Sequence, residues 1–273
     1  MKIVFAGTAE FAVPSLESLH HAGHEIQLVI TQPTRPGNRM KLAPPHVKLA
    51  ADALGFEVVQ PEQIKAPGVV EQLRRLAPDL LVVVAYGQII PATVLAIPRL
   101  GAVNVHASLL PRHRGAAPVA HAILAGDRET GVTIMRMDEK LDHGPILAVG
   151  TTAIGEGEDA ATLTRRLAFM GAELLVETLA RLDHITPLEQ DHDRATLAGR
   201  LRREDGQLDW NMEAAEIDRH VRGLQPWPGV TMPMKSGPLK ILSGHVEGDR
   251  YVPDVVQLPG KKPVPAKQVL KDD

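Results

Sequence analysis

"PDLLVVVAYG", residues 78–87, decides how this chain folds. Its apolar run from Leu80 to Val84 leaves no polar side for water, so it reads as a strand buried on both faces of a parallel sheet. "KIVFAG", residues 2–7, is a second run of that kind, closed by a glycine. A helix pattern from Pro14 to Ala22, with Leu16 and Leu19 on one side, stops at Gly23. "EIQLVIT" (25–31), "GAVNVHA" (101–107), "GVTIMRM" (131–137) and "PILAVGTTAI" (145–154) continue the series of strands. Helix-like stretches at Val69–Ala77, Pro118–Leu124 and Ala160–Leu182 fall between them. Strands alternating with helices predict an α/β fold, a Rossmann-like and mostly parallel sheet with right-handed crossovers. Ligands of such sheets bind beyond the carboxyl ends of the strands.

After Leu182 the texture changes. "HITPLEQDHDRATLAGRLRREDGQLDW" is polar and without sustained period, which reads as a linker. A short helix from Met212 to Arg222 runs into "LQPWPG", and short apolar runs such as "LKIL" and "YVPDVVQL" follow among scattered Pro and Gly. The expected organisation is a first domain over 1–184, a linker over 185–204 and a small β-rich domain over 205–273.

Composition limits the partners. The chain has 273 residues, 44% of them hydrophobic, so a sizeable core is available. Net charge is −3, so a polyanionic partner would need a local basic patch. Cysteine is absent, which removes disulfides, thiol nucleophiles and Cys-ligated zinc and fits a cytoplasmic protein. No signal peptide is read at the N-terminus, and no apolar run approaches the roughly 20 residues of a membrane span.

The chemistry gathers at "NVHASLLPRHRG", residues 104–115, at the end of a predicted strand. Residues two apart on a strand share a face, so Asn104 and His106 project together while Val103 and Val105 pack behind. An amide and an imidazole side by side can both donate to one developing oxyanion. In "MRMDEKLDHGPI", residues 135–146, Asp138 and Asp142 lie in a turn after another strand. A carboxylate reaching His106 would orient it and favour its charged form; as turn formers the two Asp residues would be ordinary. His106, His113, Asp138, Asp142 and His143 fit no zinc spacing, so no metal is expected. No nucleophile elbow, dinucleotide fingerprint or P-loop is present. The loop "TQPTRPGNRMKLAPP" carries Arg35, Arg39 and Lys41 without an acidic residue, a docking point for phosphates or simply a solvated loop. Lys261, Lys262, Lys267 and Lys271 form a second basic cluster near the end.

Taken together, "MKIVFAGTAEFAVPSLE", "TQPTRPGNRMKL", "VVVAYGQIIP", "GAVNVHASLLPRHRGAAPV", "GVTIMRMDEKLDHGPIL", "REDGQLDW" and "PWPG" resemble the methionyl-tRNA formyltransferases, in family order, from residue 1 to about 230. The resemblance implies transfer of a formyl group from the co-substrate 10-formyltetrahydrofolate to the α-amine of initiator methionyl-tRNA. It implies Asn104 and His106 as stabilisers of the oxyanion, with Asp142 holding His106 and assisting proton movement. It implies a folate pocket walled by Ala85, Tyr86 and Gly87 and by Ser108, Leu109, Leu110 and Pro111. The loop from Arg35 through Arg39 to Lys41 matches the segment that meets the tRNA acceptor stem. A cytoplasmic monomer with no metal and no membrane partner is expected.

The chain departs from the family pattern at several places. Lys140 stands where a glycine is usual, His143 where a small hydroxyl is usual, and His113 where an aromatic is expected. Ala9 replaces a usual proline, and the basic loop is about one residue short. The stretch after Trp210 is too short for a full five-stranded OB barrel, so a reduced OB-like domain is expected. A formyltransferase for another amine, such as an amino-sugar nucleotide, would keep the same chemistry. A non-catalytic folate- or RNA-binding relative would not need Asn104, His106 and Asp142 intact.

Overall fold

The computed structural model describes residues 1–36, 42–234 and 237–270. Seven strands among them form one sheet: β1 (Lys2–Gly7), β2 (Glu25–Ile30), β3 (Val58–Val59), β4 (Leu80–Val84), β5 (Ala102–His106), β6 (Glu129–Arg136) and β7 (Ile146–Ala153). Their spatial order is β7-β6-β5-β4-β1-β2-β3. β1 pairs in parallel with both β2 and β4, and β4 with β5, whereas β5 and β6 run antiparallel. The mostly parallel sheet expected from the apolar runs is therefore present, with an antiparallel pairing on the strand that carries Asn104 and His106.

Burial explains why the central runs looked as they did. Every residue of β4 and β5 is buried, and Ile3, Val4, Phe5 and Ala6 of β1 are fully so. β7, at the edge, alternates instead, with Val149 exposed; one face meets water there. Helices α1 (Val13–His21), α2 (His46–Ala53), α3 (Pro67–Leu76), α4 (Ala92–Leu95), α5 (Pro118–Leu124), α6 (Ala160–Ala180) and α7 (Ala214–Gly223) complete the regular elements. Leu16 and Leu19, the predicted inner side of α1, are fully buried. α3 has Pro67 in its first turn and ends in a left-handed Ala77. Val69, Val70 and Leu73 of α3 pack on a core that includes Val4, Leu28, Leu81 and Val83.

Two compact units interleave along the chain. One takes Met1–Arg114, Gly131–Thr151 and Arg165–Leu197; the other takes Gly115–Thr130, Thr152–Thr164 and Ala198–Asp273. The second unit has its own core, where Ile217 and Val221 of α7 meet Val230, Met232, Leu239, Ile241, Tyr251 and Val256. Four antiparallel strands lie there in sequence order: β8 (Val230–Met232), β9 (Leu239–Glu247), β10 (Arg250–Gln257) and β11 (Val264–Pro265). α5 packs close to α7 in this unit, because a Cβ on Gly223 would sit 3.3 Å from the Ala120 carbonyl oxygen. The polar stretch read as a linker has two parts. Its beginning, through Leu197, belongs to the first unit, with a 3₁₀ turn at His192–Arg194 and a two-residue ladder between Leu197–Ala198 and Arg114–Gly115. It shows no period because side-chain hydrogen bonds, not a buried stripe, fix it.

Candidate active site

β5 brings the central pair to the carboxyl end of the sheet. Gly171 of α6 lies against Val105, and a Cβ there would stand 2.9 Å from the Val105 Cγ1 and 3.2 Å from the Val132 Cγ1. The helix thus covers the valine face of β5, and Asn104 and His106 take the opposite face. Both are buried, at 9% and 5% exposure. His106 Nε2 lies 2.9 Å from the His113 carbonyl oxygen. A carbonyl only accepts, so this bond assigns a proton to Nε2. Nδ1 faces Asp142, 3.7 Å from its Oδ2. The Asn104 amide donates to the other carboxylate oxygen of Asp142 at 3.4 Å.

Asn104 and His106 therefore meet Asp142, 38 residues beyond Asn104, in one cluster. Their arrangement refines the side-by-side donor pair expected from strand geometry. Asp142 sits against both side chains, and with Nε2 of His106 committed to the backbone, Nδ1 is the ring nitrogen turned toward Asp142. The Asn104 amide has a second N–H beyond the one given to Asp142. At 3.4 Å its bond to Asp142 is long, and a nearby oxygen could compete for it.

Asp138 and Asp142 part company. Asp138 Oδ1 accepts the Lys140 N–H at 2.9 Å, and Oδ2 lies 2.6 Å from His143 Nδ1, so Asp138 shapes the turn. The His143 ring stacks on His192, with centroids 3.9 Å apart and planes 9° apart. Lys140 is exposed. Among the described residues no group of three or more His, Cys, Asp or Glu could hold a metal ion.

The segments expected to wall a folate pocket leave adjacent strand ends, since β4 and β5 pair in parallel through Val83 and Asn104. Ala85 and Gly87 are exposed, both with left-handed backbone, φ 44° and 87°. Tyr86 between them points inward, 2% exposed, among Val4, Leu81 and Val83. Its carbonyl accepts from the Thr8 hydroxyl at 2.8 Å and from the Gln32 amide at 3.3 Å. Burial pushes the Tyr86 hydroxyl up to about 12. Ser108 is fully buried, its hydroxyl donating to the Arg112 carbonyl at 2.6 Å. Leu110 packs with Met135 and Ile146, and Leu109 and Pro111 are half-buried. The Tyr86 ring and the Ser108 hydroxyl are thus spent on the fold.

Arg35 begins a two-residue hairpin ladder, Arg35–Pro36 against Leu42–Ala43, and pairs with Glu62 at 3.3 Å with its side chain 65% exposed. Arg39 and Lys41 lie outside the described residues. The sequence reading passed over Gln190 and Thr196, which frame the cluster, and it turned Arg114 toward solvent or substrate, whereas Arg114 is 8% exposed and points inward to Gln190. The Gln190 amide donates to the carbonyls of Asp142 at 3.1 Å and Gly144 at 2.7 Å. Thr196 Oγ1 accepts the His113 N–H at 2.8 Å. Arg114 Nη2 donates to Gln190 Oε1 at 2.6 Å and meets His192 Nδ1 at 2.8 Å. Side chain to backbone bonds over such separations leave no periodic signal, so only the polarity of the stretch marked it.

An amide, an imidazole and a carboxylate clustered at the end of a central parallel strand are the groups that an acyl-transfer site on an α/β scaffold would need. Residues 1–179 match the family model described as formyl transferase, and residues 200–261 match the formyl transferase C-terminal domain. A methionyl-tRNA formyltransferase of Methylococcus capsulatus is 49% identical over 90% of this chain and 81% of its own length. The chain belongs to the methionyl-tRNA formyltransferase family. Among solved structures, a sugar N-formyltransferase from a Shewanella species shares the fold at TM-score 0.69 and 17% identity, over 90% of this chain and 98% of that one. A HypX from Aquifex aeolicus in complex with tetrahydrofolic acid matches at TM-score 0.67 and 16% identity, over 99% of this chain and 47% of that one. Among the described residues no helix is long and apolar enough to cross a membrane.

Proposed function

We propose that this chain transfers the formyl group of 10-formyltetrahydrofolate to the α-amine of methionyl-initiator-tRNA. The observation that carries the reading is the Asn104–His106–Asp142 cluster, in a chain 49% identical to a methionyl-tRNA formyltransferase across most of both lengths. The folate co-substrate supplies an activated formyl carbon. The exposed backbone turn from Ala85 to Gly87 and half-buried Leu109 and Pro111, at neighbouring strand ends, suit a flat ring system with amide edges.

In this reading the amine nitrogen bonds to the formyl carbon, and negative charge gathers on the formyl oxygen. The free N–H of Asn104 and a proton on Nδ1 of His106 stabilise that oxygen, preorganised in a site shielded from water. Asp142 keeps the imidazole turned and balances its positive charge. The bond from the carbon to the folate nitrogen then breaks. That nitrogen gains a proton while the amine loses one, with Asp142 assisting the exchange. Arg35, Arg39 and Lys41 meet the phosphates of the acceptor stem. The chain acts as a cytoplasmic monomer, which sedimentation of the purified protein checks.

The decisive assay offers 10-formyltetrahydrofolate with initiator methionyl-tRNA and with an amino-sugar nucleotide in parallel. Formylation of the tRNA alone is expected. Turnover of the sugar nucleotide with the tRNA left untouched would move the chain to another acceptor.

A further inference from the structure

The two groups that face the ring nitrogens of His106 share an uncommon backbone. Asp142, beside Nδ1, has φ 46°, and His113, whose carbonyl takes Nε2, has φ 58°. Neither is a glycine. A left-handed conformation at such residues costs free energy, and it persists where surrounding contacts over-determine it. One segment supplies a hydrogen bond to each of the two. Gln190 donates to the Asp142 carbonyl at 3.1 Å and to the Gly144 carbonyl at 2.7 Å, spanning the tight turn. Six residues on, Thr196 Oγ1 takes the His113 N–H at 2.8 Å, and the Thr196 carbonyl takes the Arg114 N–H at 2.8 Å.

We infer that residues 190–196 are a positioning strap for the catalytic histidine, with Gln190 setting Asp142 and Thr196 setting the His113 carbonyl. This rests on the formyl-transfer reading of the cluster. Gln190 is itself fixed, 5% exposed, by the Arg114 guanidinium, which donates to its Oε1 at 2.6 and 3.2 Å. Arg114 is 8% exposed, and its guanidinium meets two acceptors, Gln190 Oε1 and His192 Nδ1. A guanidinium cannot accept, so it reads the oxygen side of the Gln190 amide and turns the NH₂ side toward the Asp142 loop. His192 then stacks on His143 of that same loop, and His143 binds Asp138. The loop is thus gripped at Asp142 and Gly144 through backbone, and at His143 through its ring. His143, a departure from the family pattern, acquires a role as the stacking partner.

The strap acts through the Asp142 loop and the His113 backbone, so Gln190 and Thr196 are positioning residues. The test measures kcat and the two KM values for formyl transfer, with melting temperature, in Gln190→Glu, Gln190→Met, Thr196→Val and Thr196→Ser. Gln190→Glu is the sharpest variant, because its carboxylate keeps the bond with Arg114 but has no N–H for the two loop carbonyls. The expected result is a kcat lower by about 10- to 100-fold in Gln190→Glu, as for a misplaced catalytic group, with folate KM and melting temperature near wild type. Thr196→Val is expected to lose kcat similarly, and Thr196→Ser, which keeps the hydroxyl, to restore it. Wild-type kcat in a folded Gln190→Glu, or equal behaviour of the Val and Ser variants, overturns the strap. Should Gln190→Met not fold, the Gln190→Glu and Thr196 comparisons still decide. Wild-type enzyme inactive on both acceptors would instead sink the formyl-transfer reading, so the two failures are separable.

Discussion

At the scale of single residues, the cluster makes Asp142 the most informative position. Asn tolerates the left-handed backbone nearly as well as Asp does, so Asp142→Asn removes the charge without disturbing the turn. Formyl transfer is expected to fall about 10²- to 10⁴-fold, with melting temperature unchanged within a few degrees; turnover at the wild-type rate would remove Asp142 from the mechanism. Tyr86 separates a packing role from a binding one. Its hydroxyl is buried without a hydrogen-bond partner, so Tyr86→Phe is expected to keep or raise stability, by about 1 kcal/mol, and to leave the folate KM alone. A rise in that KM would place the hydroxyl in the pocket. Asn104 and His106 were legible in the sequence because strand alternation alone puts them on one face. The left-handed backbone of Asp142 and His113 was not, since both residue types are compatible with many turns.

At the scale of elements, the sheet could be read from its buried runs and the helices from their period. β4 is apolar throughout and β5 is buried throughout, with Asn104 and His106 its polar members, while the alternation of β7 marks an edge. Close approach of strands could not be read. A Cβ on Gly131, in β6, would stand 1.9 Å from the Gly150 carbonyl oxygen, and backbone there cannot step aside. Gly131→Ala is expected to destabilise by about 3 kcal/mol, seen as a lower midpoint in urea; an unchanged midpoint would mean that the strands separate easily. Arg35, at the start of the basic stretch, lies at the surface. Its ion pair with Glu62 is exposed on both sides and contributes little to stability. Arg35→Ala and Arg39→Ala are therefore expected to weaken tRNA use, with a shallower salt dependence, and to spare folate binding. Equal loss of both would make the loop structural.

At the scale of the whole molecule, stability at alkaline pH reports the cores of the two units. Burial raises Tyr86 to about 12, and burial with the nearby charges of Asp218 and Asp254 raises Tyr251 further. An unfolded tyrosine loses its proton near its ordinary value of 10.0 while the folded one still holds it. The stabilisation is therefore complete below pH 10 and is lost as pH climbs through the folded value. Urea midpoints are expected to fall steeply between pH 10 and about 12, less so in Tyr86→Phe; a flat profile would contradict the burial of both hydroxyls. The sequence by itself did not show β3, α2 or α4, but it determined the α/β class, the order of the six longer strands of the sheet, the small β-rich C-terminal part and the face shared by Asn104 and His106. Those are local properties, written in periodicity and in runs of one polarity. Only the tertiary structure decided that Asp142 meets both, that Nε2 of His106 is tied to His113, and that Gln190 and Thr196 support both turns. Such contacts join residues far apart in the chain, through single hydrogen bonds whose partners no local pattern encodes.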